Sequence, residues 1–384
     1  MILRYNTQRA CGTAPKAGLL LAFGLILFFL LPPSWTPRST AAPALNHPLS
    51  SPMIKHFLKS KPLIRHDGEK APPPAAEVYN LSTLTNTKDA ITRGERVLVL
   101  TPLAVFYQDY WDNLVNLSYP HELISLGFII PQNEDGDRAF TELERAANKT
   151  QRQGEIGQRF ASITILRQEF EAPHISQDEE RHKLEIQKVR RESMARARNS
   201  LLFTMISPTT SWVLWVDADI IETPSALVQD LISHEVPVVQ PNCFKPYYNT
   251  DTNRMDERPY DYNAWRDSDD AARLAESMGS DDILLEGYED KIPTHRSRMA
   301  FMADRSNPDP TRIIELDGVG GTVLMVRAEV HRHGAVFPAF PFDHHVETEG
   351  FAKMAKRLGY SLYGLPDYEV RSLGPSFLLC SGMF

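Results

Sequence analysis

Cysteine is scarce in this 384-residue chain, which has only Cys11, Cys243 and Cys380. Three thiols exclude a disulfide-built fold. Cys11 falls across a membrane in the topology below, so Cys243–Cys380 is the one bridge left open. An excess of positive charge is missing too. The formal net charge of −8 provides no basic field for a polyanion, which argues against a nucleic-acid partner. No internal repeat is visible, no histidine follows His345, and no acidic residue precedes Asp67.

What is present suits a globular enzyme. Hydrophobic side chains make up 42% of the chain, enough for one large core or two modest ones. Ala17 to Leu31 is an uncharged run, AGLLLAFGLILFFLL, stopped by Pro32 and Pro33. As a helix at ~1.5 Å per residue it spans about 22 Å, so flanking residues to position 35 or a thinner bilayer must help it cross. Arg4, Arg9 and Lys16 precede it, which places residues 1–16 in the cytosol and the remainder in the lumen. The competing reading is a cleaved signal peptide with its cut near Thr40–Ala44. Either route delivers the domain to the secretory lumen.

Residues 36–90 read as a flexible stem, rich in Pro, Ser, Ala and His. Order is expected from Val97-Leu-Val-Leu100, a buried strand ending at Thr101-Pro102. A helical stretch, FYQDYWDNLVNL, and apolar strands at Leu123–Ile130 and Ser162–Leu166 follow. Next come a charged helix from Lys183 to Met205, with apolar positions Leu184, Val189, Met194, Leu201 and Met205, and the strand Trp212–Val216. Strands alternating with helices predict an α/β fold: an open sheet with its ligand at the carboxyl ends of the strands.

At such an end stands Asp217-Ala-Asp219. In extended backbone two carboxylates at i and i+2 share a face and can share one hard divalent cation, the form in which a nucleotide-sugar diphosphate is readily held. The same spacing recurs at Asp135/Asp137 and Asp267/Asp269, in polar stretches that read as solvated loops. Only Asp217 and Asp219 are bracketed by apolar residues, where ionised groups are costly unless paired or metal-bound. Spacing alone favours an exposed helix face for Arg196 and Arg198, with a contact to the diphosphate as the alternative. Gly318-Val-Gly-Gly321 is either an acceptor-side loop or a tight turn into Thr322–Val326. Asp343-His344-His345-Val-Glu347-Thr-Glu349 has a charge density that suits a site, or an acidic helix N-terminus ahead of Phe351–Leu358.

Five blocks resemble, in order and spacing, the fungal mannan polymerase subunit family, glycosyltransferase family 62: YWDNLVNLSYPHELISLGFIIP, ARARNSLL, SWVLWVDADIIETPSALVQDLISHEVPVVQPNCF, DGVGGTVLMVRAEVHRHGAVFPAFPF and VETEGFAKMAKRLGY. The likeness runs from about Val97 to Val370. It implies a type II Golgi membrane protein with a GT-A-like domain over residues 91–370, an open mixed sheet with a Rossmann-like nucleotide-binding half. It further implies GDP-mannose as donor, Mn²⁺ as cofactor, an α-1,6-mannan or N-glycan acceptor, and homologous subunits as partners. Transfer would retain configuration, and no protein nucleophile is assigned. On this resemblance Asp217 and Asp219 hold the metal, Thr101, Pro102, Leu103 and Arg198 face the nucleotide, Glu347 and Glu349 are catalytic candidates, and Asn242, Asp343 and His344 bind acceptor.

One departure is clear. After Leu365-Pro-Asp-Tyr368 the family continues through a Tyr-His pair, a common source of a third metal ligand, whereas this chain runs from Glu369 to Phe384 without histidine. Residues 371–384 are therefore expected to be an atypical tail, such as translation into a retained intron produces. Two rival functions stay open: a non-catalytic scaffold subunit, and a secretory transferase using another donor such as a UDP-sugar.

Overall fold

The computed structural model describes residues 77–169, 184–287 and 293–373. The expected membrane segment, the stem up to residue 76 and the tail beyond Leu373 lie outside the described residues. Among the described residues no helix is long and apolar enough to cross a membrane.

The first half of the domain comprises α1 (Ala90–Arg93), β1 (Arg96–Pro102), α2 (Gln108–Val115), β2 (Ile124–Pro131), α3 (Glu134–Gln153), β3 (Ser162–Gln168), α4 (Leu184–Met205) and β4 (Thr210–Val216). Then come β5 (Ile220–Glu222), α5 (Leu227–Ser233), β6 (Val238–Asn249), β7 (Arg254–Pro259), β8 (Trp265–Arg266) and α6 (Asp269–Glu276). The last elements are β9 (Ser297–Arg298), β10 (Ile314–Leu316), β11 (Val323–Arg327), α7 (Ala328–Arg332), α8 (Glu347–Arg357) and β12 (Leu362–Ser372).

One mixed sheet runs β10-β12-β6-β11-β4-β1-β2-β3, with β5 on β12 and β7 on β6. Strands β4, β1, β2 and β3 are parallel, and β11 lies antiparallel between β4 and β6. The expected alternation of strands and helices is therefore found, opened out by an antiparallel strand. Strand side chains alternate between two cores, as a sheet covered on both faces requires. Trp212, Leu214 and Val216 join Tyr110, Trp111 and Leu143 on one face. Val213 and Trp215 join Ala195, Leu202, Phe337 and Phe351 on the other.

Helix α4 is where sequence periodicity misleads. Val189 is exposed, and the residues that are buried or half-buried toward the sheet side include Arg191, Ala195, Arg198 and Leu202. Their spacing of i, i+4, i+7 and i+11 is that of a core stripe with two arginines in it. Of the two other aspartate pairs only Asp267 lies in a loop, and it is ion-paired. Asp135 and Asp137 lie in the first turn of α3, capped by Asn133, where the helix dipole favours carboxylates. Asp269 opens α6 behind the Ser268 cap, and Asp267 anchors Arg296 and Lys353.

Asn86 and Thr87, assigned to the stem by composition, dock on the domain. The amide of Asn86 donates to the Ser211 carbonyl, and buried Glu95 accepts from the Thr87 amide and hydroxyl and from Trp212 Nε1 at 2.7 Å. Glu95→Ala leaves these donors buried and unpaired. It is expected to lower stability by about 3 kcal/mol, measured by urea unfolding.

Candidate active site

Strand β4 delivers the aspartates to the carboxyl edge of the sheet. The Asp217 amide donates to the Thr322 carbonyl (2.9 Å), and the Ile220 amide closes back on the Asp217 carbonyl (3.1 Å). A turn, not extended backbone, thus sets the two carboxylates together. Strand β5 then pairs with the end of β12, Ile220 opposite Ser372, so the final strand closes one side of the site. The Thr101–Leu103 segment at the end of neighbouring β1 lies on the same edge: Thr101 Oγ1 is bonded to Tyr110 Oη (2.5 Å), and the Leu103 amide to the Ile129 carbonyl. Burial, and then the charge of Asp219, raise the pKa of Tyr107 just beyond it.

Arg198 lies at the centre of the cluster. Its side chain is 2% exposed, and it donates from Nη2 to Asp217 Oδ1 (2.7 Å) and from Nε to Glu347 Oε1 (3.1 Å). The guanidinium carbon lies 5.4 Å from the Trp215 ring centroid and 5.6 Å from that of Phe337. Burial opposes its charge, but Asp217 and Glu347 outweigh that and hold its pKa above the ordinary value. Nη1 is buried with no partner among the described residues. Arg198 is therefore not an exposed face residue; Arg196 is exposed, as expected.

Asp217 is pushed up to about 7 from 3.8, by burial first, with Arg198 pulling it down and Asp219 and Glu347 adding repulsion. Asp219 Oδ2 accepts from Tyr260 Oη (2.6 Å) and Ser372 Oγ (3.1 Å). Among the described residues Asp217 Oδ2 and Asp219 Oδ1 are left without hydrogen-bond partners. Two hard oxygens from adjacent carboxylates, one of them destabilised by desolvation, fit a divalent cation that draws its other ligands from a diphosphate and water. Among the described residues no group of three or more His, Cys, Asp or Glu is arranged to hold a metal.

Glycines form the adjoining wall. A Cβ on Gly320 would stand 1.8 Å from Asp261 Oδ2, and one on Gly321 2.4 Å from Arg198 Nη2. The GVGG segment is thus neither a free acceptor loop nor only a turn; it lets backbone press against buried charged groups. Asp261 is itself buried, bonded by Gln240 Nε2, Thr322 Oγ1 and the Asn263 amide, and burial raises its pKa. Cys243 is a buried free thiol.

The remaining sequence-derived candidates separate. Glu347 belongs to the cluster and takes a left-handed backbone (φ 55°) at the start of α8. Glu349 does not: fully buried, it accepts from Trp265 Nε1 (2.8 Å) and from Arg191. Asn242 sits where β12 shifts register around Pro366 and donates to the Pro366 carbonyl (3.0 Å), filling a gap in the ladder. Asp343 and His344, both at positive φ, form a tight turn closed by Phe342 and His345; they bond Arg357 and the Asp282 carbonyl, not the cluster. Sequence reasoning missed Tyr260, Asp261 and Ser372, which no periodicity or known spacing marks.

Arg198→Met leaves two carboxylates facing each other without their cation. A loss of about 3–5 kcal/mol in urea unfolding is expected. The sign of the Asp217 shift gives a second test. Between pH 3.8 and about 7 the folded protein without cation carries a proton that the unfolded chain has released, so stability falls as pH rises through that window. Asp217→Asn is expected to remove that slope.

The Anp1 family model matches residues 75–341. The chain is 51% identical over 292 residues to the mannan polymerase complex subunit MNN9 of Candida albicans, covering 76% of this chain and 78% of that protein. It is 49% identical over 294 residues to mannan polymerase complex subunit mnn9 of Schizosaccharomyces pombe, covering 77% and 85%. Among solved structures, the mannosyltransferase PcManGT from Pyrobaculum calidifontis, in complex with GDP-Man and Mn²⁺, aligns with a TM-score of 0.39 at 12% identity over 78% of this chain and 61% of that one. On the strength of the family model and these relatives, the chain belongs to the Anp1 family, alongside the mannan polymerase complex subunits it resembles.

Proposed function

We propose that this chain is a GDP-mannose-dependent mannosyltransferase of the GT-A type, extending the α-1,6-mannan backbone of N-linked glycans as a subunit of a mannan polymerase complex. In this reading it is a Golgi type II membrane protein. One observation carries the reading: among the described residues Asp217 and Asp219 each keep an oxygen without a hydrogen-bond partner, and Arg198, which donates to Asp217, keeps a buried Nη1 without one. Two carboxylate oxygens suit Mn²⁺, and a buried guanidinium donor suits a phosphate oxygen. Family membership supplies mannan as the context.

In this reading Asp217 and Asp219 would hold Mn²⁺, which when bound places positive charge against the departing diphosphate. Arg198 directs its free donor to the same anion, and Glu347 fixes the guanidinium plane. Tyr260 and Ser372 orient Asp219 so that its other oxygen stays available. Thr101 to Leu103 line the nucleotide side of the edge. Asp343, His344 and Glu349 act through shape, since they are bonded within the fold, whereas Asn242 spends its amide nitrogen on the Pro366 carbonyl and keeps a buried Oδ1 without a partner among the described residues.

A second reading, a non-catalytic subunit of the same complex, is favoured by one feature. Ser372 occupies the last strand beside Asp219, and no third acidic, histidine or cysteine ligand converges there among the described residues. Mannose transfer from GDP-mannose to α-1,6-mannobiose by the full chain separates the two. Under the catalytic reading, activity needs Mn²⁺ and falls about 10²–10³-fold or more in the Asp217→Ala, Asp219→Ala variant. GDP and Mn²⁺ binding without transfer would support the subunit reading. Because Asp217 keeps its proton to about 7, Mn²⁺ binding measured calorimetrically at pH 6 is expected to release about one proton and to tighten as pH rises.

A further inference from the structure

The cluster's missed residue, Tyr260, opens a segment that leads to exposed aromatic surface. Tyr260 bonds Asp219, Asp261 forms the buried floor, and Tyr262 turns its ring onto Phe301, centroids 6.0 Å apart and planes at 20°. The Cα atoms of Tyr260 and Tyr262 lie at most ~7.6 Å apart, two trans peptide steps. Arg298 spans both rings, its guanidinium carbon 4.9 Å from the Tyr262 centroid and 5.7 Å from that of Phe301, and it is tied to buried Glu286 at 3.1 Å. The pair is thus fixed in place. Phe301 nonetheless stays 64% exposed.

We propose that Tyr262 and Phe301 form an acceptor subsite that stacks a mannopyranose unit of the growing chain, beyond the unit that receives mannose. The inference rests on the function proposed above. A pyranose has an apolar face of weakly positive C–H bonds, and an aromatic ring presents a negative face to it. A polymeric acceptor needs holding at more than its reacting end, and the pair begins one residue past the buried floor of the cluster. Two rings are far too little for a protein–protein interface, which buries ~800 Å² per partner. The occupant we assign is therefore a sugar ring, not a second subunit.

The test uses the full chain with linear α-1,6-mannotetraose, read by saturation-transfer NMR and by a binding titration, alongside GDP binding. Phe301→Ala is expected to weaken tetraose binding about five- to tenfold, with GDP affinity unchanged, and Phe301→Trp to restore it. In transfer assays the same variant should raise KM for mannotetraose while leaving KM for methyl mannoside and kcat near wild type. Wild-type tetraose affinity in Phe301→Ala overturns the proposal, as does a wild-type chain that binds GDP and Mn²⁺ but no tetraose. Phe301-dependent tetraose binding in a chain that binds no GDP would uphold the subsite and overturn the donor reading instead.

Discussion

The ion triad that buried Arg198 forms with half-buried Asp217 and Glu347 is the constraint around which the cluster is built. A guanidinium on the inner face of α4 is tolerable only because carboxylates from β4 and α8 reach it, and those carboxylates are tolerable together only because it lies between them. Trp215 and Phe337 wall the cation on its ring faces, and Gly321 is small so that backbone can close the rest. The geometry of the aspartate pair therefore follows from the packing of a helix onto a sheet.

That triad also divides labour between the two aspartates. Asp217 is strained by desolvation and by its acidic neighbours, which makes it sensitive to any added positive charge. Asp219 is held by two neutral hydroxyls, from Tyr260 and Ser372, which orient it without neutralising it. One carboxylate responds to charge and the other supplies fixed direction. The hydroxyls come from opposite ends of the second half of the domain, so the site samples most of the chain.

Much of the frame was legible in the sequence. The apolar runs at Val97, Leu123, Ser162 and Trp212 are strands of one sheet, and the aspartate pair chosen for its apolar brackets sits at the sheet edge. Strands β6 and β12 were not, because Pro241, Pro246 and Pro366 interrupt their patterns; the fold absorbs Pro366 with a register shift and the Asn242 amide. Spacing alone misjudged Arg198 and gave no sign of Arg191 for a related reason: the stripe of α4 is completed by charges whose partners lie about 150 positions away, beyond the reach of local pattern. Asn242 and Glu349 show the same limit, since buried polar groups that serve the fold and those that serve a ligand share one composition.

The sequence distance within the triad bears on how the protein is made. Glu347 is 149 positions from Arg198, and Glu349 is 158 from Arg191. Helix α4 is synthesised with two arginines on its inner face, and neither can dock at low cost until α8 has been translated. Contacts of such separation carry a large loop-closure cost and slow folding. The nascent domain thus passes through an interval in which the strands that precede α8 can pair while α4 stays only loosely attached, and β12, which follows α8, completes the sheet only afterwards.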